Sequence, residues 1–124
     1  MSLIKLEYTD VVSQKLIKKN LQFSSELITV PYKLESLFVL KVEGESMQPL
    51  IKDTSLIVAD LSQTNPTNND IYIVSKDNKL WIKKVKINSD KVSFESINEK
   101  YSHLVYKSNE VRVIARAVLT FTSL

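Results

Sequence analysis

The sequence is short of the residues on which most cofactor chemistry depends. It holds one glycine, no cysteine and one histidine among 124 residues. Phosphate-cradling loops and dinucleotide folds need clustered glycines so that backbone can approach phosphate, and a single glycine excludes them. Without cysteine there is no disulfide framework, no cysteine-ligated zinc and no iron–sulfur cluster. A lone His103 cannot build a multi-histidine metal site. No metal and no cofactor are expected. Long apolar runs are missing as well: none approaches the ~20 residues that span a bilayer. The opening Met1-Ser2-Leu3-Ile4-Lys5 runs directly into Glu7 and Asp10, unlike a signal peptide, and Met1-Ser2-Leu3 reads as a leader fused to an excised domain. A cytoplasmic location, without a membrane, is the expectation.

What is present is an ordinary globular composition, 44% hydrophobic and 25% charged, too apolar for disorder. Seventeen Lys and Arg against fourteen Asp and Glu leave a net charge of +3. That excess is small and fits scattered solvated lysines better than a nucleic-acid patch. The length suits one small domain.

Residues 9–22 carry the only helical spacing. Thr9 or Asp10 caps it, Val12, Leu16 and Leu21 share a face, and Lys15, Lys18 and Lys19 lie outside. From residue 26 the period changes to two. Strands are expected at Glu26–Val30, Leu37–Val42, Ser55–Asp60, Ile71–Ser75, Leu80–Ile87, Lys91–Ile97 and Val111–Thr122. Lys76-Asp77-Asn78 and Asn88-Ser89-Asp90 join hairpins. The polar stretch 61–70 is a surface loop, too short for a linker. The fold class is mostly β, a small barrel or sandwich. Residues 1–25 form an N-terminal segment, and 26–124 form the domain proper.

The chemistry concentrates in Val42-Glu43-Gly44-Glu45-Ser46-Met47-Gln48-Pro49, where a strand opens into a turn. The sole glycine stands two residues before a serine. It either takes dihedrals that other residues resist or admits another chain closely. A serine on a constrained turn after a strand is one way to present a nucleophile, and a turn serine bonded to its own backbone is the plain alternative. Such a nucleophile needs a base. His103, in Tyr101-Ser102-His103-Leu104, has no carboxylate pattern to orient it and reads as structural. The other base is an uncharged lysine. Free lysine titrates near 10.4 and must fall about 3 units, roughly 4 kcal/mol, to act near neutrality. Burial in apolar surroundings supplies such a shift. Leu80-Trp81-Ile82-Lys83-Lys84-Val85 sends Lys83 and Lys84 to opposite faces of a strand. If Trp81, Lys83 and Val85 share the inner face, Lys83 is the base; the opposite register favours Lys84, and a snorkelling surface lysine is the plain alternative.

Together these residues resemble the LexA-type self-cleaving repressors, a family that includes phage repressors and UmuD-like proteins, related to signal peptidases. The resemblance runs through Val42–Pro49, Lys52–Asp60, Ile71–Val74 and Trp81–Val85 to a closing strand at Val111–Leu119, roughly residues 37–119. It implies a bent, antiparallel, barrel-like β domain that dimerises. It also implies a catalytic Ser46 and Lys83, 37 residues apart, with the backbone amides of Glu45 and Ser46 as the oxyanion site. By the same resemblance, Ser46 attacks a carbonyl in the protein's own upstream segment, and Lys83 takes the hydroxyl proton and returns it to the leaving amine. Operator DNA is bound through an N-terminal helix-turn-helix domain outside this chain, and a RecA-like co-protease is a further expected partner. Residues 1–25 are then a linker or the remnant of a cleavage loop.

The sequence departs from the family at two points. There is no Ala–Gly or Cys–Gly bond: the first alanine is Ala59. The cut bond therefore lies upstream, or is a different dipeptide, or the domain does not cleave itself. Thr54-Ser55 also stands where the family has Gly-Asp. Two other readings compete: a catalytically silent dimerisation module of the same fold, and a small β-barrel nucleic-acid binder using Trp81 with Lys83 and Lys84. A signal-peptidase relative is opposed by the lack of a membrane anchor.

Overall fold

The computed structural model of the chain describes residues 2–124; Met1, part of the leader reading, lies outside them. The chain opens with a β-hairpin in which β1, Leu3–Val12, pairs antiparallel with β2, Lys15–Ser24. This corrects the helix expected over 9–22. Along β1, Ile4, Leu6, Tyr8 and Asp10 turn inward while Lys5, Glu7 and Thr9 face water, a period of two. The inward polar Asp10 and outward Val11 and Val12 break the apolar alternation, which is why a helical spacing stands out instead. The turn residues Ser13 and Gln14 have φ of 51° and 65°, the left-handed pair that matches strand twist, although neither is the glycine or asparagine that marks such turns. The strand expected at Glu26–Val30 is also corrected. A 3-10 turn, Ser25–Leu27, stands there, with the Ser24 hydroxyl accepting from the Glu26 amide at 3.2 Å.

The remaining strands form one seven-stranded sheet. They are β3 (Leu37–Lys41), β4 (Leu56–Asp60), β5 (Ile71–Lys76), β6 (Lys79–Asn88), β7 (Lys91–Glu95), β8 (Tyr106–Lys107) and β9 (Arg112–Phe121). Their spatial order is β3-β4-β9-β5-β6-β7-β8, every neighbour antiparallel. The mostly-β, antiparallel expectation holds, but the sheet ends at β3 and β8 and does not close into a barrel. β9 slips register once against β4 and once against β5, and such bulges sharpen twist and bend the sheet. The hairpins expected at Lys76-Asp77-Asn78 and Asn88-Ser89-Asp90 are present, with Asp77, Asn78 and Ser89 left-handed.

Both faces of the sheet are covered. Val42, Met47 and Ile51, from the loop between β3 and β4, close over Ile57, Ile73, Ile82 and Ala115 on one face. On the other face the hairpin buries Ile4 and Phe23 against Leu37 and Val58, and Tyr72, Val74, Val85 and Phe94 form a third cluster. A polar clasp fixes the hairpin to the sheet. Asp10, nearly buried, accepts from Lys19 Nζ at 2.8 Å and Lys41 Nζ at 2.9 Å. These two ammonium groups, assisted by the Val11 amide, hold its carboxyl well below the usual range against the opposing effect of burial. At the far end of β4, burial pushes the Asp60 carboxyl up, but hydrogen bonds from Ser62, Gln63 and the Lys33 amide outweigh it, and the group stays below its ordinary value. Among the described residues, no helix is long and apolar enough to cross a membrane.

Candidate active site

Beyond β3 the pairing with β4 continues for one step: Val42 donates to the Ser55 carbonyl at 2.8 Å and receives from Thr54 at 2.9 Å. The chain then turns at Gly44, whose φ is +98°. A Cβ built at Gly44 meets nothing within 4 Å, so of the two roles open to this glycine the structure selects conformational freedom over close approach. The Gly44 amide is fixed by Asp53 Oδ1 at 2.9 Å. Ser46 follows at the start of a tight turn in which Gln48 donates to Glu45 at 3.1 Å and Ile51 to Met47 at 2.9 Å. Met47, 2% exposed, roots the turn in the core while Ser46 stays partly open to solvent. As at any helical start, the first amides have no partner within the turn. Those of Glu45 and Ser46 find no backbone acceptor among the described residues, the condition an oxyanion site requires.

On β6 the register is decided. Ile82 joins the cluster beneath Met47, whereas Trp81 and Val85 belong to the opposite face, and Lys83, between them in the alternation, shares that face. Its relative exposure is 0%. Across the strands it stands opposite Tyr72 of β5. On its other side β7 pairs Glu95 with Lys84, which places Ser96 one register step further, opposite Lys83. Lys83 Nζ donates to Ser96 Oγ at 2.7 Å and lies over the rings of Tyr106 and Trp81, 5.4 and 5.8 Å from their centroids. Burial pushes its pKa down, and no carboxylate opposes that shift.

Lys83 is thus bonded to Ser96 and not to Ser46. Ser46 lines the cleft beside residues 79–82 of β6 and Lys83 does not; the two are linked instead through the stretch from Ser96 to Asn98. Asn98, two residues after Ser96, donates its backbone amide to the Ser46 carbonyl at 2.9 Å and its side-chain Nδ2 to the Glu45 carbonyl at 2.9 Å. A three-residue stretch therefore touches the lysine at one end and clasps the serine turn at the other. Because β7 leaves at Glu95, residues 79–83 of β6 pair only with β5, and their free edge borders a cleft of about 610 Å³. Gly44, Ser46 and Met47 line one wall, Leu80, Trp81 and Ile82 the other. The indole Nε1 of Trp81 is buried and has no hydrogen-bond partner among the described residues. No residue of β1 or β2 lines the cleft.

His103 is exposed and is not among the residues that line the cleft. With Lys83 buried, the pairing of Trp81 and Lys83 offers nothing to a phosphate backbone. Ser96 and Asn98 were not legible as site residues. A Ser-x-Asn after a strand has the composition of any turn, and only the register of β6 against β7 reveals the contact.

These features define a class: an antiparallel β domain in which a serine-bearing turn is clasped beside a buried strand lysine free of carboxylate partners. The chain belongs to the peptidase S24-like family, whose model matches residues 7–118. It is 32% identical over 79 residues to an uncharacterized HTH-type transcriptional regulator of Haemophilus influenzae, covering 63% of this chain and 33% of that protein. It is 31% identical over 88 residues to a LexA repressor of Thermotoga petrophila, covering 70% of this chain and 44% of that protein. The chain spans less than half the length of these curated relatives.

Proposed function

We propose that this chain is the regulatory domain of a transcriptional repressor, with a latent capacity to cut its own polypeptide by Ser46/Lys83 chemistry. The observation that carries this reading is Lys83: fully buried, without a carboxylate, and one short stretch of chain from the serine turn. Burying an ammonium costs several kcal/mol unless it is paired, so burial moves such a lysine toward its neutral, basic form. In the reaction, Ser46 Oγ attacks the carbonyl carbon of a peptide lying along the free edge of β6, and neutral Lys83 accepts the hydroxyl proton. The Glu45 and Ser46 amides stabilise the oxyanion, and Lys83 returns the proton to the leaving amine. Water then hydrolyses the ester on Ser46. The apolar cleft wall of Leu80, Trp81 and Ile82 suits a segment with apolar side chains. Dimerisation, operator binding through upstream residues and a cytoplasmic setting belong to the same proposal.

A second reading, an interaction module with a silent Ser/Lys pair, draws on two observations. Lys83 bonds Ser96 rather than Ser46, and the upstream residues are fully paired as a hairpin outside the cleft. Incubating the full-length natural protein from pH 7 to 10 separates the two. Discrete fragments that increase with pH and vanish in Ser46→Ala and Lys83→Ala support self-cleavage. Intact protein throughout, from a folded sample, supports the interaction module.

A further inference from the structure

Among the described residues the lysine has a single hydrogen-bonding partner, and it is a hydroxyl. Ser96 occupies the cross-strand position opposite Lys83, half-buried, with its Oγ 2.7 Å from Nζ. We propose that Ser96 is a positioning residue for Lys83, holding the side-chain nitrogen beside the stretch whose Asn98 clasps the Ser46 turn, in both protonation states of the amine. A hydroxyl is suited to this because it accepts from an ammonium and donates to an amine lone pair. A carboxylate in its place would hold the lysine charged, and an alanine would leave it without a polar partner. The titratable groups facing Lys83 are Tyr72 from β5 and Tyr106 from β8, with the Lys76 ammonium 5.3 Å from the Tyr106 ring centroid. None is a carboxylate. Ser96 is in turn fixed in place by Asn98, whose two hydrogen bonds to Glu45 and Ser46 anchor this stretch to the nucleophile turn. The catalytic consequence rests on the reading above; the contact and its effect on the lysine do not.

The test follows the Lys83 side-chain nitrogen by NMR titration in isotopically labelled full chain, assigned through Lys83→Met. Wild type is compared with Ser96→Ala and Ser96→Thr, each first shown to be folded by its amide spectrum. Loss of the only acceptor penalises the ammonium, so Ser96→Ala increases the acid constant of Lys83 by about 3- to 10-fold, and Ser96→Thr restores it. An unchanged titration in Ser96→Ala overturns the proposal. The same variants are then assayed for fragmentation. A lower midpoint and a reduced plateau in Ser96→Ala, both restored by Ser96→Thr, extend the role to catalysis. Cleavage in Ser96→Ala with the wild-type profile overturns the positioning role while self-cleavage stands. A shifted titration with no cleavage in wild type at any pH upholds the Ser96 contact and removes the self-cleavage reading.

Discussion

The backbone amide of Asn98 is bonded to the carbonyl of Ser46 at 2.9 Å, while the Asn98 side chain reaches the carbonyl of the preceding residue, Glu45, at the same distance. The turn that bears the serine is therefore held from outside by the segment that follows β7. The Glu45 carbonyl shares its peptide plane with the Ser46 amide, and the Ser46 carbonyl with the Met47 amide, so the clasp orients the Ser46 amide directly.

Replacing Asn98 tests the clasp. Asn98→Ala removes the bond to Glu45 and also the Oδ1 acceptor of the Lys100 amide. The expected loss is about 1–2 kcal/mol in urea unfolding, with self-cleavage slowed beyond what that loss explains. Asn98→Ala unfolding at the wild-type midpoint removes the clasp from the account.

Lys83→Met exchanges a buried amine for an apolar side chain of similar length. The expected outcome is a gain of about 1–3 kcal/mol at neutral pH together with complete loss of cleavage. The gain depends on pH. The folded-state pKa of Lys83 is lowered, so between that value and the ordinary 10.5 the unfolded chain binds the extra proton and wild-type stability increases with pH. The advantage of the variant therefore shrinks across that window. Urea midpoints of both proteins from pH 6 to 10 measure it, and a constant difference contradicts it.

Asp10→Asn addresses the hairpin clasp, with the opposite sign. The Asp10 carboxyl is held below its ordinary 3.8 by Lys19 and Lys41, so its stabilising effect is present above that value and is lost as pH falls below it. Wild type is expected to lose more stability on acidification than Asp10→Asn, in which Asp60 still contributes its own loss, and the two thermal midpoints converge at low pH. Thermal unfolding from pH 7 down to 2 provides the check.

Two backbone positions make a reciprocal pair. Gly44→Ala is expected to cost about 1–2 kcal/mol although space for the methyl exists, because φ of +98° is strained for any residue with a Cβ. Thr54 has φ of +71° and is β-branched, at the position where the resembling family carries glycine. Thr54→Gly is expected to stabilise by about 1 kcal/mol. Shifts of opposite sign in urea midpoint are the signature. A destabilised Thr54→Gly means that side-chain contacts outweigh the backbone strain.

Most of the sheet was legible because its strands alternate apolar and polar residues between turns of recognisable chemistry, Asp77-Asn78 being the plainest. The hairpin of β1 and β2 was not. Its inward positions include Asp10, whose partners Lys19 and Lys41 come from two other strands, and its turn uses Ser13 and Gln14. Pattern reading has no access to either. At the site, Gly44, Ser46 and Lys83 announced themselves by scarcity and by a charge in an apolar strand. Which face Lys83 takes depended on pairing with β5 and β7, and the parts played by Ser96 and Asn98 on contacts from distant sequence.

The position of β9 makes it the keystone of the sheet. Among the described residues, this last strand lies between β4 and β5 and is the only strand joining the β3–β4 pair to the β5–β8 group. The serine turn is carried by the first group and the buried lysine by the second, so the two belong to one sheet through residues 112–121. Without β9 the two groups would be tied by the Asn98 clasp and the packing of Met47 with Ile82, with no backbone ladder between them.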